Sequence, residues 1–122
     1  MAIVEIDKVI IVEGKSDKDR IKSIIREPVD IICTNGTVGV SKLDELIEYV
    51  YDKDVYILVD SDDAGDKLRK TLRKELPHAE HIKIDKTFRE VAAAPLYHLA
   101  SILLGANFDV HNKFLNASTG GI

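Results

Sequence analysis

The 122 residues predict an α/β fold, a three-layer α/β/α arrangement around a four-stranded, mainly parallel sheet. Two observations carry that expectation. Short apolar, β-branched runs alternate with helical stripes of period three to four, the pattern of successive βαβ units. The runs Val9-Ile10-Ile11-Val12 and Val55-Tyr56-Ile57-Leu58-Val59 also lack polar alternation, as strands buried on both faces do. Right-handed crossovers then put helices on both faces of the sheet.

The elements follow in order. The first strand is read at Val9 to Val12. Ser16 can cap the next helix, with Asp19 in a capping-box-like position, and Ile21, Ile24 and Ile25 give its buried stripe. Pro28 is expected to end it. Val29 to Cys33 reads as the second strand, followed by the turn-rich Thr34-Asn35-Gly36-Thr37-Val38-Gly39. Ser41 with Asp44 repeats the capping pattern, and Leu43, Leu46, Ile47 and Val50 form the second helical stripe. The third strand is Val55 to Val59. A third helix starts near Asp63 or Ala64, carries Leu68, Leu72 and Leu76, and stops before Pro77.

His81 to Ile84 reads as a short fourth strand, and beyond Phe88 the pattern loosens. Pro95 suits a first helical turn; Leu96, Leu99, Ala100 and Leu103 make an apolar face, and Gly105 fits the C-terminal end. Residues 106–122 show no periodicity, and Ser118-Thr119-Gly120-Gly121 reads as a frayed tail. The expected domain therefore spans 1–105, with 106–122 as a C-terminal tail.

Composition narrows the class. At 45% apolar and 31% charged residues, the chain fits one ordinary globular domain with a single core. The lone Cys33, inside an apolar run, is expected to be buried and reduced; one cysteine excludes a disulfide framework or a multi-thiolate zinc site. No apolar stretch approaches the ~18 residues of a bilayer span. Met1 to Asp7 shows neither a basic start nor a cleavage signal, so a cytoplasmic location is expected. A net charge of -4 argues against a protein held on nucleic acid by overall positive charge, but is compatible with a local basic patch.

The chemistry concentrates after two strands. Glu13 follows the first and Asp60-Ser61-Asp62 the third. Ligand sites of open parallel sheets form beyond the carboxyl ends of the strands, so these acids meet if the two strands are neighbours. Carboxylates about 4 Å apart repel by roughly 4 kcal/mol at an effective dielectric near 20. A divalent cation relieves this, and hard oxygen donors favour magnesium or manganese. Asp62 and Asp63 can equally cap the following helix. Beside other acids, metal-free Glu13 should have a raised pKa, which suits proton transfer.

Around these acids the roles divide. Gly14 is expected to permit a turn that a side chain would obstruct, and Gly65 to let the third helix approach the sheet. Asp17 and Asp63 are either further acids of the site or helix-start residues. Lys15 and Lys67, close in sequence to the acids, are the candidate phosphate contacts. Lys67, Lys70 and Lys74 share one helix side with Arg69 and Arg73 nearby, a pattern that also fits a solvated face. Asn35 either bonds a substrate phosphate or holds its own turn. Ser61 lacks a partnered histidine, and His78, His81, His98 and His111 lack metal-ligand spacing.

Val12-Glu13-Gly14-Lys15-Ser16-Asp17, followed about forty residues later by Val59-Asp60-Ser61-Asp62-Asp63-Ala64-Gly65-Asp66-Lys67, resembles the two signatures of the Toprim domain. That domain is shared by primases, type IA and type II topoisomerases, small nucleases, recombination mediators and ribosomal-RNA maturation nucleases. The Asp-x-Asp-x-Ala-Gly form is similar to that of primases and small nucleases; topoisomerases often carry a third alternating acid where this chain has Ala64. Thr34-Asn35-Gly36-Thr37 also resembles the loop of the maturation nucleases and small stand-alone Toprim proteins.

The resemblance implies a Toprim-like, Rossmann-like topology, with Glu13 as general acid/base and Asp60 and Asp62, together with Glu13, as magnesium (or manganese) ligands. The implied function is phosphodiester chemistry on RNA or DNA by a small nuclease. The appended regions that topoisomerases and primases use are not seen in these residues. The alternative is a non-catalytic metal-binding module that docks RNA, or a protein partner through residues 88–114. Hydrolases of the haloacid dehalogenase type also place Asp-x-Asp after a strand, but favour Thr or Val where this chain has Ala64.

Overall fold

In the computed structural model, which describes residues 6–35 and 40–115, the chain alternates strand and helix. The strands are β1 (Lys8–Val12), β2 (Asp30–Cys33), β3 (Asp54–Val59) and β4 (Glu80–Lys83). They pair in the order β2-β1-β3-β4, and every pairing is parallel. The helices are α1 (Lys15–Ile24), α2 (Val40–Val50), α3 (Asp63–Glu75), α4 (Leu96–Gly105) and the short α5 (Asn112–Leu115). No helix among the described residues is long and apolar enough to cross a membrane.

Strand alternation sorts the side chains into two cores. Ile10, Val12, Leu58 and Ile82 face α1 and α4, where Ile21, Ile24, Leu99 and Leu103 cover them. Val9, Ile11, Ile57 and Val59 face α2 and α3, covered by Leu46, Val50, Leu68 and Leu72. The expected three layers are therefore present, and the sheet is wholly parallel. Cys33 is a free, half-buried thiol packed against the α1/α4 side.

Helix boundaries differ from the sequence expectation where tertiary hydrogen bonds intervene. Helix α1 is capped at Gly14, not Ser16, because the Gly14 amide donates to Asp17 Oδ2 at 3.2 Å and the helix begins immediately. It ends at Ile24, short of Pro28. Ile25 is extended (φ -75, ψ 138) and bridges antiparallel to Val110. The Ser41 cap lies outside the described side chains, as do Gly36 to Gly39 and the tail motif Ser118 to Gly121.

Residues 106–115, aperiodic in sequence and expected to belong to the tail, pack into the protein. Helix α4 continues through Gly105 and closes at Asn107, which takes the left-handed conformation (φ 70) that Gly105 was expected to provide nearby. Phe108 N donates to Leu103 O and Asn107 N to Leu104 O, the two bonds of a Schellman motif. This turn drives Phe108 into the α1/α4 core at 1% exposure, edge-on to Tyr56 at 4.6 Å between ring centroids. The chain then runs beside the end of α1: Arg26 N donates to Asp109 O and His111 N to Ile24 O. Lys8 Nζ, bonded to Glu27 Oε1 and Asn107 O, ties the same corner to β1.

Phe108→Ala is therefore expected to cost about 3–5 kcal/mol, the range for a buried aromatic, measured as the change in urea-unfolding free energy. A cost below about 1 kcal/mol would mean that this segment is peripheral to the fold.

Candidate functional site

The pairing of β1 with β3 brings the acids together. Ile11 pairs with Ile57, so Glu13 and Asp60 leave the sheet side by side at its carboxyl rim. The backbone amide of Asp60 donates to Glu13 Oε1 at 2.8 Å, fixing one acid against the chain of the other. Asp62 caps α3 by accepting from Gly65 N at 2.8 Å. Capping leaves further lone pairs on the carboxylate, and Glu13, Asp60 and Asp62 each offer an oxygen such that all three lie within 4.8 Å of one another. Asp62 is thus the cap of α3 and also a member of the acid cluster.

Burial and neighbouring charge act on these groups. Glu13 has its pKa raised first by burial, then by Asp60, Asp62 and Asp17, while the Asp60 amide works in the other direction. Asp60 is raised by burial and by Asp17, Asp62 and Glu90, against a lowering contribution from the Val91 amide. Asp17, 7% exposed, is raised by burial and Glu90 and lowered by Gly14 N–H and Arg20. The rise expected for Glu13 is present, with desolvation as its leading cause. Asp17 is thus both a helix-start residue and part of the local negative field, whereas Asp63 is the exposed first residue of α3.

The cationic and glycine candidates divide. Lys15 and Lys67 are exposed near the starts of α1 and α3, within a few residues of the acids. Arg69, grouped by sequence with the α3 charges, turns inward instead: it is 7% exposed, bonded to Asp66 Oδ1 at 2.8 Å and near Val59 O at 3.4 Å. Asn35 is left-handed (φ 56), and its amide donates to Glu13 O at 2.7 Å, so its backbone holds the turn beside Glu13 while its side chain is exposed.

Gly65 is sterically required, since a Cβ there would lie 2.0 Å from Asp60 O. Gly14 is not: its backbone is extended (φ -133, ψ 169) and a Cβ would meet only Asp17 Oδ2 at 3.7 Å. That expectation for Gly14 is corrected, because no turn there excludes a side chain.

Sequence reasoning missed the segment that closes the site from the other side. Val91, the first residue of a 3-10 turn (Val91–Ala93), donates its amide to Asp60 Oδ1 at 2.8 Å, and Ser61 N donates to Arg89 O at 2.5 Å. These are backbone contacts in an aperiodic stretch, so no residue pattern marks them. Arg20, bonded to the Ala94 carbonyl, braces the same segment from α1. The acids stand at an open rim. A cavity of about 460 Å³ lies at the opposite rim between the ends of α2 and α3, lined by Val50, Tyr51, Leu76 and Pro77 among others, and it includes none of them.

A wholly parallel α/β sheet with three carboxylates at the ends of its two central strands defines the class. The Toprim domain family model matches residues 8–89, and the chain belongs to that family. It is 53% identical to the uncharacterized protein YusF of Bacillus subtilis over 122 residues, covering all of this chain and 84% of that protein. The small TOPRIM domain protein from Bacillus stearothermophilus superposes with a TM-score of 0.88 at 51% identity, covering 92% of this chain and 95% of that one. Ribonuclease M5 of Mycoplasma genitalium is 34% identical over 89 residues, which is 72% of this chain and 49% of that protein. Ribonuclease M5 of Bacillus subtilis is 34% identical over 83 residues, or 67% and 44%. The chain thus spans about half, or less, of these ribonucleases.

Two predictions follow from the site's construction. Gly65→Ala is expected to destabilise the protein by about 1–3 kcal/mol through overpacking, with Gly14→Ala costing less, both read from chemical denaturation. A carboxyl whose pKa rises on folding contributes stability below its unfolded pKa and loses it as pH climbs through the folded value. Glu13→Gln should therefore raise the melting temperature of chelator-treated protein at pH 7, with the gain shrinking on acidification; an unchanged or lower temperature at pH 7 would contradict the charge assignment.

Proposed function

We propose that this chain is a metal-dependent nuclease module that cleaves phosphodiester bonds in RNA or DNA, using magnesium or manganese. The carrying observation is the convergence of Glu13, Asp60 and Asp62 within 4.8 Å at the sheet's carboxyl rim. The donor set suits such an ion: three carboxylates, oxygen donors only, partly buried where uncompensated charge is costly. Membership of the Toprim family and likeness to ribonucleases M5 over the shared domain support the reading, and make RNA the first substrate to test.

Asp60 and Asp62, with Glu13, would hold the cation. When bound it supplies charge neutralisation at the phosphate oxygens as bond cleavage develops. The chain's own groups do the rest. Glu13, held at Oε1 by the Asp60 amide, keeps its second oxygen for a proton, which places it to act as the general acid/base. Lys15 and Lys67, on helices that start at the same rim, bind flanking phosphates. Asn35 holds the β2 loop against Glu13 and offers its exposed amide to the substrate backbone. The location fitting this role is the cytoplasm, where RNA and millimolar magnesium coexist.

Cleavage of end-labelled RNA and DNA should require magnesium or manganese, stop on chelation, and fall by about 10²-fold or more in Glu13→Gln. Unchanged cleavage by that variant would remove Glu13 from the mechanism. Metal-dependent retention of RNA without any cleavage would favour the non-catalytic docking module instead.

A further inference from the structure

Asp60 is held from two directions by groups far apart in the chain. From β1, Glu13 receives its amide; from the segment after β4, Val91 N–H binds its Oδ1 at 2.8 Å. That segment is itself fastened. Arg89 O accepts from Ser61 N, Glu90 N donates to Phe88 O, and Phe88 N donates to Asp85 O. Asp85 N donates to His98 Nε2 on α4, whose ring stacks at a tilt on Phe88 at 4.9 Å between centroids. Val91 is fully buried. Arg89, at φ 62, makes the sharp reversal that aims its carbonyl at Ser61 and the Val91 amide at Asp60. A non-glycine residue is uncommon in this backbone region, so the turn is specified by its contacts.

We propose that the Arg89–Val91 turn is a positioning element that fixes the rotation of the Asp60 carboxylate, committing one oxygen to the Val91 amide and presenting the other to a divalent cation. The inference rests on the metal-site reading above. Outer hydrogen bonds of this kind orient carboxylate ligands, and their loss typically weakens metal affinity by about 10- to 100-fold.

The bond can be deleted with little else. Val91 is the first residue of its 3-10 turn, where proline is tolerated because the amide has no intrahelical partner. The preceding Glu90 is already at φ -115, ψ 143, the extended conformation a following proline demands. Val91→Pro removes the N–H, and Val91→Ala trims the side chain while keeping it. Manganese binding to the full chain is measured by calorimetry, with melting temperature read on the same samples. The expected result is an affinity about 10-fold or more weaker in Val91→Pro than in Val91→Ala, beyond any difference in melting temperature.

A second pair keeps the test decisive if Val91→Pro does not fold. Arg89→Val strains the turn, whereas Arg89→Gly relaxes it, so manganese affinity should be weaker in the valine variant than in the glycine variant. Equal affinities within the folded pairs would overturn the positioning role while leaving the metal site standing. Absence of manganese uptake by the unaltered protein would overturn the metal-site reading and this inference with it.

Discussion

The direct parallel pairing of β1 with β3 is the constraint on which the site depends. Glu13 and Asp60 are separated by 47 residues, yet the register Ile11 to Ile57 delivers them to one rim and lets the Asp60 amide reach Glu13. The βαβ crossover through β2 and α2 makes this possible by sending the chain outward to the β2 edge and back past β1. Apolar burial on both faces of the two central strands holds the register, and the acids inherit their geometry from that packing. Like charge accumulates at the rim as a consequence. Part of the free energy gained in the core is offset by carboxylates held in a poorly solvated place, a stability–function conflict often seen in active sites.

Helix starts act as the second device. Gly14 and Asp62 begin α1 and α3 immediately after the strands end, so the positive ends of both helices face the acid cluster. This field opposes mutual repulsion among the carboxylates without removing it. Gly65 shows how closely α3 is fitted: the helix backbone rests against the Asp60 carbonyl with no space for a methyl group. Gly14 has no such neighbour, so the two glycines flanking the acids serve different physical purposes.

Much of this was legible in the residues, for identifiable reasons. The strands could be read because doubly buried β-branched runs have few alternative structures, and Glu13, Asp60 and Asp62 could be read because they sit where those runs stop. Long-range backbone bonding was hidden. Ser16 looked like a better cap than Gly14 because residue preference ignores where a strand releases the chain. Arg69 looked like one more solvated cation, but the Val59 carbonyl and Asp66 draw it inward. Residues 106–115 and the Arg89–Val91 turn carry no periodic pattern, since amide and carbonyl groups, common to every residue, make their defining contacts.

Val9 to Val12 and Ile57 to Val59 have no measurable exposure, and β2 and β4 shield the lateral edges of the pair they belong to. Partial openings of a native protein draw on its least buried units, such as peripheral strands and termini. The two central strands are the best shielded from such fluctuations, and the acids follow directly on their ends. Amide exchange at these strands then reports the stability of the whole domain, which a cation bound at the rim raises by RT ln(1 + [L]/Kd).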